Sequence, residues 1–218
     1  MKKVVVAAAV LLAVAGVKAQ NVSLGPVASF THSWVTGTDG MEREFNPGFK
    51  AGLTLTYSIN PHWAIGGDLL YSLEGVKVKK TVLATTYTTT AHNDYIRVPL
   101  KVSYFFGELG DRMRPKLYLG PSLGFLVASN TRVKTENGST SAETKTETKA
   151  NYNKFDLGGM VGAGFNYRVG TATWLNFDLN YTNGFSDITK DDNTFSSNRN
   201  IGVSLGVAFP LGTIKSAK

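Results

Sequence analysis

After residue 20, apolar residues recur at every second position in segment after segment of this chain, a spacing typical of β-strands. The clearest segment is 200–211, where the odd positions hold Ile, Val, Leu, Val, Phe and Leu. The even positions of that segment hold Asn, Gly, Ser, Gly, Ala and Pro. Because successive side chains of a strand point to opposite faces, the segment forms a strand with one apolar face and one small, mostly polar face.

Eight segments carry this alternation, and we predict one strand in each: 22–30, 49–59, 63–73, 96–106, 117–127, 155–167, 175–181 and 200–211. The first, third, fifth and seventh connections between them are long, at roughly 15 to 25 residues, whereas the others are about five to nine. Long loops on one rim and short turns on the other are typical of outer-membrane barrels. The sequence therefore predicts an all-β fold, an eight-stranded antiparallel up-and-down transmembrane β-barrel.

The N-terminus has the order of a secretory signal peptide, which we assign to residues 1–19. Lys2 and Lys3 precede an apolar run from Val4 to Val17, and the small residue Ala19 follows. A membrane-spanning helix needs about 20 apolar residues, so the run is short for one, although a retained N-terminal anchor is the alternative. Residues 20–218 are then a single barrel domain with both termini in the periplasm of a Gram-negative bacterium.

Charge and cysteine content limit the classes of partner and of stabilisation. The formal net charge is +7, and removal of Lys2, Lys3 and Lys18 with the signal peptide lowers it to 7 − 3 = +4. This modest charge predicts no nucleic-acid partner. The chain has no cysteine, so disulfides do not stabilise it.

Aromatic residues gather near the ends of the predicted strands, where amphipathic rings meet lipid headgroups. We predict membrane-interface positions for Tyr57, Trp63, Tyr104, Trp174 and Phe209 at the periplasmic rim, and for Tyr95 and Tyr181 at the outer rim. The inward faces are rich in Gly, Ser, Ala and Asn, which suits the narrow interior of eight strands. A soluble secreted β-sandwich or lipocalin-like barrel is the alternative fold.

Charged residues also fall on the inward phase of these strands. There are three cations and four anions: Lys50, Arg97, Lys101, Asp68, Glu74, Asp156 and Asp178. Since an unpaired charge in a confined space is costly, we expect these groups to pair and to fill the barrel as a structural plug. A narrow polar conduit for small ions is the alternative interpretation.

Prolines and glycines within the strands require local explanations. We expect bulges or strand ends at Pro26, Pro99, Pro121 and Pro210, because proline cannot donate to the ladder. In the segment 155–167, FDLGGMVGAGFNY, three glycines face inward and make room for neighbours such as Asp178 or Arg97. The fourth, Gly159, faces lipid, and we expect an adjacent aromatic ring to cover it.

Catalytic chemistry has little support in the sequence. His92, Asp94 and His32 form a candidate acid–base group at the outer rim. However, no Gly-x-Ser-x-Gly elbow or other nucleophile is present at a defined spacing. The chain also has no metal-ligand cluster and no phosphate-cradling loop, so we expect no metal and no cofactor.

Four segments resemble, in this order, the small outer-membrane β-barrel proteins of Bacteroidetes, often called porin-family or PorT-like proteins. They are YIRVPLKVSYFF (95–106), KLYLGPSLGFLVAS (116–129), FDLGGMVGAGFNY (155–167) and NIGVSLGVAFPL (200–211). The resemblance covers essentially the whole mature chain. It implies the fold and the outer-membrane location, and it implies no particular activity.

The function predicted on these grounds is structural or interaction-based, not enzymatic. We expect a monomer surrounded by outer-membrane lipid and lipopolysaccharide, with an envelope protein partner reached through long extracellular loops. The Glu/Lys/Thr-rich segment around Glu143 is the most prominent of these loops. A lipid-modifying or proteolytic barrel enzyme and a narrow solute channel are the alternatives.

Overall fold

The computed structural model of the chain describes residues 21–38, 40–108, 110–137, 140–170, 173–191 and 194–211. Within these residues, no helix has the length and apolar character needed to cross a membrane. A short 3-10 helix spans Lys149–Asn151. The strands are β1 (Val22–Val35), β2 (Glu42–Glu44), β3 (Pro47–Ser58), β4 (Trp63–Val82), β5 (Thr85–Phe105), β6 (Met113–Asn137), β7 (Thr140–Glu147), β8 (Phe155–Val169), β9 (Thr173–Gly184) and β10 (Asn198–Pro210).

Eight of these strands close into a ring. Each pairs antiparallel with the next in the order β1, β3, β4, β5, β6, β8, β9, β10, and β10 pairs back with β1. Ala28 of β1 lies opposite Leu205 of β10 at this closure. The short strands β2 and β7 lie outside the ring, on β4 and on β6 respectively. The predicted eight-stranded antiparallel up-and-down barrel is therefore confirmed.

The two faces of the barrel wall differ in polarity as the alternation predicted. Outward residues are large and apolar, and many stay exposed, as Leu119 at 62 % and Val203 at 58 % do. Inward residues such as Ser204 and Ser122 are buried and mostly small or polar. A water-soluble barrel places its apolar residues inside, so this inverted arrangement fits a barrel surrounded by lipid.

Both described chain ends lie at one rim, which we call the terminal rim, because Ser23 pairs with Pro210. The short connections from β3 to β4, from β5 to β6 and from β8 to β9 are at this rim. The opposite rim, which we call the loop rim, carries the connections 36–46, 83–84, 138–154 and 185–197. The third connection was expected to be long, and that expectation was wrong, since it contains only residues 83–84.

This difference arises because β4, β5 and β6 continue well past the predicted strand limits, to 20, 21 and 25 residues. The additional segments are rich in threonine, valine and lysine and lack a continuous apolar face, so the sequence pattern indicated loops. Threonine and valine nevertheless favour strands, and each extension has a paired neighbour that satisfies its backbone. At the end of the β4–β5 hairpin, Leu83 adopts a positive φ of 56° and is 98 % exposed.

The prolines interrupt the ladder without bulges. Between Leu24–Phe209 and Val27–Gly206, two residue pairs of β1 and β10 are missing at Pro26 while the register stays constant. Similar gaps occur at Pro99 in the β4–β5 ladder and at Pro121 in the β5–β6 ladder. The bulges expected at these three sites are therefore absent, whereas Pro210 ends β10 as expected. The register shift between β5 and β6 lies instead at Asp94/Tyr95.

The glycines of β8 leave space for large neighbours. An added Cβ at Gly162 would overlap the ring of Tyr118, and one at Gly164 would overlap the Asp178 carboxylate. On the outer face, a Cβ at Gly159 would lie 2.8 Å from Cζ of Phe185, whose ring covers this glycine as expected.

Candidate functional site

A buried ionic layer crosses the half of the lumen nearer the loop rim. Arg97, which is 3 % exposed, donates from Nε and Nη2 to the two carboxylate oxygens of Glu74, over 2.7 and 2.6 Å. Its Nη2 also donates to Asp156. Because Glu74, Arg97 and Asp156 belong to β4, β5 and β8, this layer ties separate parts of the wall together through the interior. It places three of the predicted lumen residues in contact.

The predicted lumen residue Lys50 completes this layer together with Asn198, Asn200 and Tyr95, which the predicted network did not include. Lys50 donates to Asn200 Oδ1 over 2.9 Å and lies 4.0 Å from Glu74. Asn198 donates to Asp156 over 2.9 Å and to the Tyr95 hydroxyl over 3.3 Å. The guanidinium of Arg97 lies 4.8 Å from the ring centroid of Tyr95. Tyr95 is thus fully buried in the lumen, and its predicted place in the outer aromatic belt was wrong.

A second ionic layer lies nearer the terminal rim. Lys101 pairs with Asp68 over 2.6 Å, and Lys116 pairs with Asp178 over 3.0 Å. The ammonium groups of the two lysines lie 5.6 and 5.8 Å from the ring centroid of Tyr118. Lys116 was missed because the predicted strand began at Leu117. Continuing the same alternation one residue earlier places it on the inward face.

A cavity of about 280 Å³ lies around this second layer. Its lining runs from Arg97 down to Asn60 and Pro61 in a turn of the terminal rim. Five buried polar atoms among the lining residues have no hydrogen-bond partner in the described structure: Arg97 Nη1, Arg114 Nε, Asn166 Oδ1, Asn176 Oδ1 and Asp178 Oδ1. The half of the lumen nearer the terminal rim is thus a polar pocket, and the Arg97 layer bounds it on the side of the loop rim.

At the loop rim, the β9–β10 connection folds over the barrel. Ile188 is completely buried there, and its amide donates to Ser196 O over 2.8 Å. Asp187 Oδ1 accepts from the amides of Thr189 and Ser196 and from the Thr189 hydroxyl, over 3.0 to 3.1 Å. Slight burial would raise the pKa of Asp187, but these hydrogen bonds outweigh it and hold the pKa below its ordinary value. The ionised Asp187 carboxylate therefore stabilises the conformation of this connection.

Four of the predicted interface aromatics occupy outward positions at the terminal rim: Tyr57, Trp63, Tyr104 and Phe209. The rings of Trp63 and Tyr104 meet edge to face, with centroids 5.0 Å apart. Tyr181 also faces outward, with its ring centroid 6.3 Å from that of Trp34. Trp174 does not fit the prediction, because it lies on the inward phase of β9 and lines the interior cavity. Strand phase decides the face, and a position near a strand end decides only the height.

The extended strands form a sheet beyond the loop rim, which we call the protruding sheet. It consists of β2, β7 and the segments 75–82, 85–93 and 129–137 of β4, β5 and β6. The outward-facing charges include Lys77, which pairs with Glu44 over 2.7 Å, and Lys134, which pairs with Glu136 over 2.7 Å. The hydrogen bond from Lys77 lowers the pKa of Glu44. All eight residues of β7 are exposed.

The candidate acid–base group does not assemble. The His32 ring stacks between Trp34 and Phe45 and hydrogen-bonds the backbone of Asn46. Asp94 instead accepts a hydrogen bond from the Tyr71 hydroxyl over 2.7 Å. Among the described residues, no contact joins His32 to His92, and no cluster of three or more His, Cys, Asp or Glu side chains could hold a metal ion.

The closed barrel with an apolar exterior corresponds to a known protein family. The sequence profile of the outer membrane protein beta-barrel domain family matches residues 17–190. The chain belongs to this family. It is thus a small β-barrel protein of the Gram-negative outer membrane. The narrower resemblance to the PorT-like proteins of Bacteroidetes stays a prediction.

Several solved outer-membrane barrels are similar to this family member. Neisserial surface protein A is 15 % identical, with 87 % of this chain and 97 % of that chain covered and a TM-score of 0.49. OprG from Pseudomonas aeruginosa is 12 % identical over 88 % and 96 % of the two chains, also with a TM-score of 0.49. Ail, the attachment invasion locus protein of Yersinia pestis, is 14 % identical over 86 % and 98 %, with a TM-score of 0.39. No sequence match was found among curated proteins.

Proposed function

We propose that this outer-membrane barrel is a surface-interaction protein in which the barrel anchors the protruding sheet and the sheet makes the contact. The length of β4, β5 and β6 carries the proposal. About 9 to 11 residues per strand cross a bilayer, whereas these strands have 20, 21 and 25. At roughly 3.3 Å per residue, ten further residues extend about 30 Å along the strand direction.

The proposed orientation places the loop rim outside the cell and the terminal rim in the periplasm. Three of the four connections at the loop rim, 36–46, 138–154 and 185–197, are longer than the connections at the terminal rim, and this difference supports the orientation because outer-membrane barrels have short periplasmic turns. The protruding sheet then stands on the cell surface. The lumen supports an anchoring role, since buried side chains of the Arg97 layer fill the half nearer the loop rim.

The edge strand β7 offers a means of binding a protein partner. The amide of Thr148 donates to Ser129 O of β6. Because backbone groups alternate along a strand, the even positions of β7 pair with β6 and the odd positions, such as Glu143 and Lys145, point to the free edge. An extended segment of a partner protein can add to such an edge as a further strand.

The orientation is testable by cysteine labelling, since the natural chain has no cysteine. In intact cells, we expect a membrane-impermeant maleimide to label Thr88→Cys in the protruding sheet. Asn60→Cys at the terminal rim serves as the matched control and should react only after the outer membrane is permeabilised. Labelling of Asn60→Cys alone in intact cells would contradict the proposed orientation.

The edge contact is testable with a pair of proline variants in β7. Lys145→Pro removes an amide that faces the free edge, so it should reduce partner capture and leave the β6–β7 pairing intact. Thr144→Pro removes an amide that faces β6 and should therefore disrupt the pairing of β7 with β6. Capture is measured with a photo-cross-linking amino acid at position 143 in intact cells. Equal capture by the wild type and Lys145→Pro would exclude strand addition at this edge.

A further inference from the structure

Three polar residues lie side by side on the inner wall of the barrel, near the terminal rim. Strand register places Arg114 of β6 opposite Asn166 of β8, and Asn166 opposite Asn176 of β9. All three line the cavity of about 280 Å³. Because the three strands are direct neighbours, these side chains form one continuous polar row, which we call the Arg114 row.

Each member of the Arg114 row has a buried polar atom without a hydrogen-bond partner in the described structure, namely Arg114 Nε, Asn166 Oδ1 and Asn176 Oδ1. Arg114 is only 7 % exposed, and its Nη2 donates to Pro61 O in a turn of the terminal rim. Among the described residues, no hydrogen bond uses Arg114 Nη1 or the Nδ2 atom of either asparagine. Buried polar groups are normally paired, so the structure of the wall does not account for this row. Its free donors suit a molecule in the cavity.

The ion pairs around the cavity leave one positive charge without a partner. Five cations line it and four carboxylates pair with them, which gives 5 − 4 = +1. The cations are Lys50, Arg97, Lys101, Arg114 and Lys116, and the carboxylates are Asp68, Glu74, Asp156 and Asp178. Arg114 is the cation that has no ion-pair partner among the described residues. A single negative charge would neutralise it.

The carboxylates of the nearby β5–β6 connection do not fill this role. Glu108 and Asp111 lie outside the lining of the cavity, and the Asp111 carboxylate accepts from the Glu108 amide over 2.7 Å. Arg112 lies in the same connection, and Arg168 donates to Gly110 O there over 2.8 Å. These two arginines balance the two carboxylates, so the charge of Arg114 stays uncompensated.

Apolar surfaces flank the Arg114 row. The Arg114 guanidinium lies 5.1 Å from the ring centroid of Phe105, and Trp174 precedes Asn176 by two residues on the same face of β9. On the other side of Asn176 lies Gly206, with Val27 beyond it. Phe105, Trp174 and Val27 all line the cavity. A pocket with a few polar donors and apolar walls is suited to a small organic ligand.

We propose that the Arg114 row binds the carboxylate of a small monocarboxylate, whose hydrocarbon part contacts the apolar walls. Guanidinium and amide donors match the planar, singly charged carboxylate group. A doubly charged phosphate would exceed the single excess charge of the cavity. The site is independent of the proposed surface contact, and only its route of access rests on the proposed orientation.

Access to the site is from the terminal rim. The lining of the cavity includes Asn21, Ser58 and Pro210, which lie at or beside strand ends on that rim, and the Arg97 layer bounds the opposite side. In the proposed orientation, the ligand therefore enters from the periplasm and leaves by the same path. Binding does not require passage through the barrel.

The test titrates benzoate into the refolded, isotopically labelled mature chain in zwitterionic detergent micelles. NMR follows the side-chain amide signals of Asn166 and Asn176. Benzamide is the matched ligand, because it has nearly the same shape and no charge. We expect benzoate to shift both signals saturably and benzamide to leave them unchanged at the same concentration. Equal shifts with the two compounds would overturn the proposal, as would displacement of benzoate by an equal concentration of inorganic phosphate.

Charge variants at one rim separate the cavity from net charge. Arg114→Gln should weaken benzoate binding by roughly tenfold, since a charge-assisted hydrogen bond is lost. Arg112→Gln is the matched control and should bind benzoate as the wild type does, because the Arg112 guanidinium lies 5.2 Å from the ring centroid of Tyr167 and outside the cavity lining. Equal weakening in both variants would contradict a site at the Arg114 row.

Asn176→Leu tests the row without changing any charge. It keeps a side chain of similar size and removes the amide donor, so benzoate affinity should fall several-fold. Gel mobility of unboiled and boiled samples verifies that each variant has folded. If Arg114→Gln does not fold, Asn176→Leu decides the test, and benzoate affinity equal to that of the wild type would overturn the proposal. Because these measurements use micelles, their failure is distinguishable from failure of the cysteine-labelling experiment.

Discussion

At the scale of single residues, Arg97 is the most constrained side chain in the lumen. It binds Glu74 and Asp156 together, and both carboxylates are almost completely buried. A guanidinium is suited to this position because its fork can address two carboxylates at once, which an ammonium group does less well. Replacement by an apolar residue of similar length leaves two buried anions without their cation.

We therefore expect Arg97→Met to lower the free energy of unfolding by about 3 to 5 kcal/mol, as when one partner of a buried ion pair is removed. Urea unfolding in detergent, followed by tryptophan fluorescence, measures this change. Lys101→Met is the matched control, because Lys101 pairs with a single carboxylate, that of Asp68, and its side chain is 17 % exposed. An equal loss in both variants would show that the Arg97 layer has no special role.

Gly159 tests the contact between β8 and the outer aromatic ring of Phe185. Because an added methyl group would meet that ring at 2.8 Å, we expect Gly159→Ala to destabilise the barrel by about 1 kcal/mol. The same substitution in a Phe185→Ala background should have little effect, and the difference between the two measurements gives the coupling. Additive effects of the two substitutions would mean that the ring does not pack on Gly159 in the membrane.

At the scale of elements, the alternation of side chains along a strand determines which face each residue occupies, and hydrogen bonding to a neighbouring strand determines how far the strand extends. The alternation assigned Lys50, Asp68, Arg97, Lys101, Asp156 and Asp178 to the inward faces of their strands. The extensions of β4, β5 and β6 could not be found in this way, because their threonine-rich sequence has no continuous apolar face. Their assignment as strands depends on the hydrogen-bonded pairing of each extension with a neighbouring strand.

The β9–β10 connection should depend on pH through Asp187. Its pKa in the folded loop lies below the ordinary value of 3.8, so ionisation favours the folded loop above pH 3.8. This contribution should be lost as the pH falls through the lower folded value. Amide chemical shifts of Thr189 and Ser196 between pH 6 and pH 2 measure the change. In Asp187→Asn, these shifts should no longer follow that titration, and an unchanged titration would implicate another group.

At the scale of the whole molecule, the interior is closed at one end and open at the other. The cavity near the terminal rim ends at the Arg97 layer, and the Ile188 cap lies over the opposite mouth. Eight strands enclose an interior that side chains largely fill. This architecture supports the anchoring role that we propose.

We accordingly expect no steady single-channel conductance from the refolded chain in planar bilayers at neutral pH. An outer-membrane porin measured in the same bilayers is the positive control. Reproducible discrete steps that persist in Thr144→Pro, where only the protruding sheet is disturbed, would favour the solute-channel alternative.

The sequence by itself determined the fold class, the inverted polarity of the wall and the membrane that it suits. These follow from a period of two, which is a local property of each strand. Only the tertiary structure decided which charges meet, because Arg97 and Asp156 are 59 residues apart and join across the lumen. The tertiary structure also decided that polar segments extend into the protruding sheet. Such features depend on pairing between distant strands, which no local pattern contains.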